Sequence, residues 1–479
     1  MDRDIAANLD EGAELLRAAE PAITERFAAL ARRLRSHEWT VLVSGLCSVG
    51  KSSVVCALWG DAELLPTAVR DCTQTNTLIR VPAADELDRR IFLNYLDRRA
   101  AENFALRGLA FHRLTEMLEE YHGVAMPRLD EMLPDARLRF VAADARKLYA
   151  SRRDLSVLNE PLSEELEQLE QFIAFLDSEE YQPGARIEAK WEERREHLMG
   201  KRLLDGRLAG TGKLMALEHV EIVRESEWNS CGSLRSPAAG GTPAVQTPVL
   251  IDTPWIPTVH NARREDLILE RARGADVLLV LSLPKLYEPE NWLLKILVER
   301  PELARSTVVL FNQIDTCDPR TLFSRDGFAG IYAENRERLV KLGIDPANIL
   351  LACARLRFLK DSQQSDAAGA ETKNPFGAAS IAERIARLEK VLGQLREQAK
   401  GRGESELRSK FLAACDVNDA GVETLRRRLE ELAAGIVAKR REAEALGAMI
   451  EAAPVGLAAE NAAAWGKLRG KILKMKVGQ

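Results

Sequence analysis

The sequence predicts an α/β protein built on a mostly parallel sheet. Three observations predict it. Seven short apolar runs recur along the chain, and helical patterns separate most of them. The first run passes into a glycine-bounded loop with phosphate-binding spacing. Both ends of the chain and residues 85–204 carry apolar residues at helical spacing instead.

Composition agrees with a globular fold. A chain of 479 residues is long enough for about three domains, or equally for one or two large ones. Apolar residues make up 46% and charged residues 29%, which excludes a wholly disordered, collagen-like or disulfide-scaffold chain. A net charge of −5 argues against a strongly basic nucleic-acid binder, so no nucleic-acid partner is expected. The seven cysteines (Cys47, Cys56, Cys72, Cys231, Cys317, Cys353 and Cys415) include no C-x-x-C. That pattern fits a reducing compartment and neither a disulfide framework nor a zinc site. The six histidines form no ligand pair at i, i+3 or i+4. The start, Met1-Asp2-Arg3-Asp4, lacks the apolar run of a secretory signal. Runs such as Val277–Leu283 fall far short of the ~20 residues that span a membrane. A soluble, cytoplasmic chain is expected.

Taken in order, residues 1–36 read as helix. Leu16, Ile23, Phe27, Leu30 and Leu34 form a stripe that must pack on a partner helix elsewhere in the chain. Pro21 opens the second part, since proline suits a first helical turn. Trp39–Ser44 reads as a buried strand, Ser52–Trp59 as a helix and Leu78–Val81 as a strand. From 85 to 204 several helices are expected, with breaks near Gly123–Pro127, Pro134 and Pro183-Gly184. One of them starts at Ser163 as N-cap and lines Leu166, Leu169, Phe172, Ile173 and Leu176 along one face. Gly206–Gly212 punctuates the chain, and Gly210-Thr211-Gly212-Lys213 reads as a linker. Leu217–Val223 resumes strand character, and the Gly-, Ser- and Pro-rich Ser230–Pro248 reads as a loop. Val249–Ile251, Val277–Leu283, Thr307–Phe311 and Ile349–Ala352 are further strands. Residues 358–375 are polar and read as a mobile loop, and the chain from Ala379 onward reads as helix.

The loop Gly45-Leu46-Cys47-Ser48-Val49-Gly50-Lys51-Ser52 fits G-x-x-x-x-G-K-[ST] between a strand and a helix, the context the motif needs. Gly45 and Gly50 let the backbone wrap closely and aim its N–H groups at phosphates. The helix N-terminus adds partial positive charge. Lys51 is placed to reach the β- and γ-phosphates, and the Ser52 hydroxyl to bind Mg²⁺.

Later passages refine this. Asp252-Thr253-Pro254 ends a strand, so Asp252 can hold the magnesium shell. Asn312-Gln313-Ile314-Asp315 resembles the guanine-reading N-K-x-D. An aspartate accepts from both the N1–H and the exocyclic amine of guanine, and adenine offers neither donor. Ala352-Cys353-Ala354 resembles the short S-A-K element at the base. Thr73, with Thr67, Thr75 and Thr77 as competitors, is placed to close on the γ-phosphate and Mg²⁺.

Together these passages resemble the dynamin-like large GTPases in their bacterial form. Gly45–Gly60 looks like the family's P-loop and following helix, Leu64–Arg80 like its first switch, Val249–Trp255 like its second and Thr307–Asp315 like its base-recognition strand. The resemblance implies a P-loop GTPase core with a mostly parallel sheet. It implies that Gly45, Cys47, Ser48, Val49, Gly50, Lys51, Ser52, Ser53, Asn312, Gln313, Asp315, Cys353 and Ala354 line the nucleotide. Ser52, Thr73 and Asp252 would hold Mg²⁺, and Ser48, Lys51 and Thr73 would be catalytic. In dynamins the serine matching Ser48 helps hold a monovalent cation, K⁺ or Na⁺. The implied activity is hydrolysis of GTP to GDP, stimulated when two GTPase domains dimerise, and many members act on membranes.

The chain departs from the family at four points. Cys47 replaces the family's more usual polar residue next to the serine. Trp255 stands where the family has a switch glycine, Gln313 replaces the lysine whose stem packs on guanine, and Arg355 replaces the lysine of S-A-K.

The span between Thr73 and Asp252 holds 178 residues, which implies an insertion between the switches. The expected organisation is a neck-like helix at 1–36, a GTPase core at 37–84 and 205–378, a helical insertion at 85–204 and a C-terminal helical region at 379–479. The segment Trp465–Val477 carries five basic residues and no acid, with Trp465, Leu468, Ile472 and Met475 on one helical face. It can lie on an anionic membrane surface at the inner face of the membrane, or serve as a neck helix.

Two readings of function follow. One is a dynamin-like GTPase acting with a second copy or a second dynamin-like protein. The other is a nucleotide-binding scaffold with little hydrolysis that assembles with such a partner, motivated by Trp255. An ATP-dependent protein conflicts with Asn312 and Asp315.

Overall fold

The computed structural model describes residues 2–17, 20–35, 38–45, 48–65, 76–82, 86–107, 109–122, 131–151, 160–199, 201–202, 208–209, 211–226, 228, 247–253, 271–272, 274–284, 296–297, 300–324, 326–367, 381–400, 405–452 and 459–477. The chain forms two compact units. One comprises Met1–Thr40, Cys231–Pro248 and Arg427–Gln479, and the other Val41–Ser230 and Val249–Arg426.

The strands in chain order are β1 (Glu38–Gly45), β2 (Thr77–Arg80), β3 (Arg90–Tyr95), β4 (Arg186–Ala189), β5 (Lys201–Arg202), β6 (Leu208–Ala209), β7 (Leu217–Val223), β8 (Thr247–Asp252), β9 (Val277–Ser282), β10 (Thr307–Phe311) and β11 (Ile349–Leu351). Nine of them make one sheet in the order β11-β10-β9-β1-β8-β2-β7-β3-β4. β11, β10, β9 and β1 run parallel, as do β2 and β7. β2 against β8, β7 against β3 and β3 against β4 are antiparallel. The α/β, mostly parallel class expected from the sequence is what the structure shows. Every residue of β9 and β10 is buried. That explains why they read as unbroken apolar runs: a parallel strand packed on both faces has no side for polar residues.

Helices α1 (Asp2–Leu16) and α2 (Pro21–Arg35) open the chain, and α3 (Lys51–Trp59) follows β1. Between β3 and β4 come α4 (Arg98–Leu106), α5 (Leu109–His122), α6 (Pro134–Ser151) and α7 (Glu160–Leu176). Then follow α8 (Arg194–Met199), α9 (Thr211–Met215), α10 (Phe328–Lys341), α11 (Ala354–Ala367), α12 (Ile381–Ala399), α13 (Ser405–Ala414), α14 (Val422–Leu432), α15 (Ala438–Glu451) and α16 (Ala459–Val477).

Several expectations are corrected. Residues 90–95 and 186–189 are strands inside the stretch read as helix. A short apolar run such as Ile91-Phe92-Leu93 suits either element, and here sheet pairing decides it. α7 starts at Glu160, so Ser163 lies within the helix and is not its N-cap. Pro161 falls in the first turn, where a missing N–H costs nothing. Lys213 sits in the short helix α9, not in an unstructured linker. Residues 354–367 form α11, although the segment from 358 reads as a loop. Leu356, Phe358 and Leu359 are buried and anchor the helix, while its polar residues give it no stripe to read. Residues 368–375 and most of Ser230–Pro248 lie outside the described residues.

The smaller unit is a helical bundle. The stripe on α1 and α2 does find partner helices, at the far end of the chain. Leu16, Phe27 and Leu30 share a core with Leu446, Met449, Trp465 and Leu468 of α15 and α16, and Ile23 packs against it. The side chain of Leu34 lies outside the described residues. Phe27 and Trp465 stack with ring centroids 6.0 Å apart. Trp465 and Leu468 therefore spend their apolar face inside the bundle. Among the described residues no helix is long and apolar enough to cross a membrane.

Phe27→Ala removes a fully buried ring and its stacking partner's support. It is expected to cost about 3–5 kcal/mol, read as a lowered urea midpoint in circular dichroism.

Candidate nucleotide site

The site is built on the carboxyl ends of β1, β8, β10 and β11, the edge where open α/β sheets hold ligands. β1 ends at Gly45, which pairs with Leu281 of β9. Gly45 has φ 153°, and a Cβ there would stand 2.5 Å from the Leu281 carbonyl oxygen. No other residue fits that approach. The chain then turns through Ser48, at φ 59°, and Gly50, at φ 87°, into α3. A Cβ on Gly50 would lie 2.7 Å from Asn312 Nδ2. The second loop glycine is thus required by the base-side element as well as by the turn.

Asn312 explains that closeness. It is buried at the end of β10. Its Nδ2 donates to the Val49 carbonyl at 2.8 Å, and its Oδ1 accepts from the Ala354 N–H at 3.1 Å. Gln313 follows in a left-handed conformation, φ 62°, and its Nε2 donates to the Ser48 carbonyl at 2.6 Å. Two neighbouring amides therefore brace the loop from the opposite side. The sequence marks these residues as base-reading, and nothing local in it signals the brace.

The cation side is equally compact. Ser52 Oγ donates to Asp252 Oδ2 at 3.0 Å, across 200 residues of chain. Asp252 is fully buried at the end of β8, and Thr253 pins that end by donating its Oγ1 to the Val43 carbonyl at 2.9 Å. Lys51 is buried, and its Nζ donates to the Gly45 carbonyl at 3.0 Å, folding back over the loop. Among the described residues no group of three or more His, Cys, Asp or Glu gathers. The hydroxyl of Ser52 beside a carboxylate is nonetheless the hard-oxygen pair that suits magnesium, which draws its remaining ligands from water and phosphate.

On the base side, Cys353 Sγ donates to Asp315 Oδ1 at 3.1 Å. Burial pushes the Cys353 thiol well above its ordinary pKa, and the Asp315 charge adds to this. The sulfur keeps its proton at neutral pH and acts as a donor that orients the carboxylate. Cys353 itself is held by its N–H donating to the Ala420 carbonyl at 3.0 Å.

α3 is fixed at its far end too. The buried Arg426 of α14 donates Nε to the Leu58 carbonyl and Nη2 to the Ala57 carbonyl, both at 2.9 Å. A guanidinium there meets the orphan carbonyls of a helix C-terminus and their negative dipole end. Arg426 lies 368 residues from Leu58 and carries no sequence motif.

Of the expected site residues, Gly45, Ser48, Val49, Gly50, Lys51, Ser52, Ser53, Asp252, Asn312, Gln313, Asp315, Cys353 and Ala354 are described, and the bonds above tie most of them together. Cys47, Thr73 and Trp255, with Thr67 and Thr75, lie outside the described residues. Thr77, the remaining competitor, begins β2.

No family model and no curated protein matches the sequence. Among solved structures, the chain is similar to two of an oligomerised bacterial dynamin pair, described as providing a mechanism for the long-range sensing and tethering of membranes. Each is 14% identical to it over 94% of this chain and 52% of that one, with TM-scores of 0.36 and 0.34. The chain spans about half the length of those proteins.

Asn312→Ala would leave the Val49 carbonyl and the Ala354 N–H without their partner. It is expected to cost about 2–3 kcal/mol in urea unfolding, against less than about 1 kcal/mol for an exposed control such as Glu337→Ala.

Proposed function

We propose that the chain is a dynamin-like GTPase that binds GTP with Mg²⁺ and hydrolyses it to GDP and phosphate, with hydrolysis stimulated by dimerisation through the nucleotide face. The observation that carries this reading is the convergence of three motifs on one sheet edge: the glycine loop, the Ser52–Asp252 pair, and Asn312 with Asp315. Each alone recurs in other settings.

The chemistry follows from the residues. Backbone N–H groups of 48–52 and the start of α3 receive the phosphates. Lys51 leaves the Gly45 carbonyl for the β- and γ-phosphates, where its charge offsets the charge developing in the transition state. Mg²⁺ would be held by Ser52 and Asp252, with Thr73, and would neutralise phosphate oxygens. Thr73 would position the attacking water, and Ser48 would help hold K⁺ or Na⁺. Asp315, oriented by the Cys353 thiol, accepts from guanine and discriminates against adenine. In this reading 37–84 and 205–378 form the GTPase core and 85–204 its helical insertion. The neck is drawn from 1–36 and 379–479, centred on the bundle of α1, α2, α15 and α16. The protein works in the cytoplasm. Because Trp465 and Leu468 face the bundle core, membrane attachment at the inner face falls to a partner dynamin-like chain or to other surfaces.

The second reading, a nucleotide-gated scaffold with little hydrolysis, is favoured by Trp255 alone. GTP turnover measured against protein concentration separates the two. A specific rate that rises with concentration and falls about 100-fold or more in Lys51→Ala supports the GTPase. Tight GTP binding with no turnover above that variant at any concentration supports the scaffold and sinks the enzyme. Cys353→Ala is expected to weaken guanine-nucleotide binding by about tenfold and Cys353→Ser to retain most of it, read by competition with ATP.

A further inference from the structure

One buried hydroxyl beside the proposed magnesium site has no partner among the described residues. Thr77 is fully buried, and its Oγ1 makes no hydrogen bond among the described residues. It is the first residue of β2 and stands directly opposite Asp252 in the antiparallel pairing of β2 with β8. Opposed residues of such a pair project to the same face, with Cβ atoms about 4.5–5.5 Å apart. On that face the Asp252 carboxylate accepts the Ser52 hydroxyl.

An unmet buried hydroxyl is destabilising. Valine would fill the same space in a strand without that cost. Such groups in folded proteins are ordinarily met by protein, by ordered water or by an ion. Magnesium keeps several of its waters when it binds, and each bound water must place its hydrogens on acceptors. The lone pairs of Thr77 Oγ1 are such acceptors, and its own hydrogen can turn toward the Asp252 carboxylate.

We propose that Thr77 is a positioning residue that accepts a hydrogen bond from a water of the hydrated magnesium ion at the Asp252 end of the site. This rests on the magnesium-nucleotide reading above and assigns Thr77 a fixed role on a strand, distinct from that of Thr73.

The test uses the full chain and a fluorescent GDP analogue, titrated with magnesium chloride and compared in EDTA. Thr77→Val is expected to need about tenfold more magnesium for half of the tightening seen in the unaltered chain. Its affinity in EDTA should stay within about twofold, and its ligand-free melting temperature should not fall. Thr77→Ser should restore the magnesium response. Where Thr77→Val fails to fold, Thr77→Ala carries the same expectation. An unchanged magnesium midpoint in the valine variant, or a serine variant no better than valine, overturns the proposal. An unaltered chain whose nucleotide binding ignores magnesium sinks the reading beneath it, which is a separate result.

Discussion

At the carboxyl edge of the sheet the ladder of backbone hydrogen bonds stops, and the loops that leave it must satisfy their polar groups some other way. The carboxamide of Asn312 meets two of them at once, the Val49 carbonyl and the Ala354 N–H. It can do so only because Gly50 has no Cβ. The shape of the glycine loop, and with it the start of α3 and the positions of Lys51 and Ser52, depends on that contact. Gln313 adds a second brace at Ser48. The elements that would read a base thus also set the geometry of the element that would hold phosphate.

One replacement that looks like a loss in the sequence, Gln313 for lysine, has a compensation in the structure. Gln313 carries no charge, yet its amide reaches the loop backbone. Nearby, burial keeps the Cys353 thiol protonated, so it donates to Asp315. The change at Gln313 keeps a directed contact while giving up charge. Trp255 lies outside the described residues.

The parts of the fold legible in the sequence are those encoded locally. β9 and β10 announce themselves because strands buried on both faces are almost wholly apolar, and β1 because Val41-Leu42-Val43 at its centre is buried and apolar. The glycine loop announces itself because its backbone demands glycine at fixed places. β3 was hidden by its charged surroundings, since six residues cannot distinguish strand from helix without a partner. α11 was hidden because its residues from Lys360 to Asp366 are all polar and leave no apolar stripe to read. In the site, the motif residues were legible and their mutual bonds were not. Asn312 and Val49 are 263 residues apart, and Arg426 and Leu58 are 368 apart. Contacts at that range leave no periodicity and no spacing to read.

α3 is restrained at both of its ends by residues distant in sequence. Its entry at Gly50 abuts Asn312, and its last carbonyls accept Arg426. A nine-residue helix held in this way cannot slide along its own axis without breaking one end or the other. It behaves as a fixed rod, a reference against which other segments are displaced. Any stroke produced at this site therefore has to originate in the chain on either side of that rod, and the rod transmits position without generating motion.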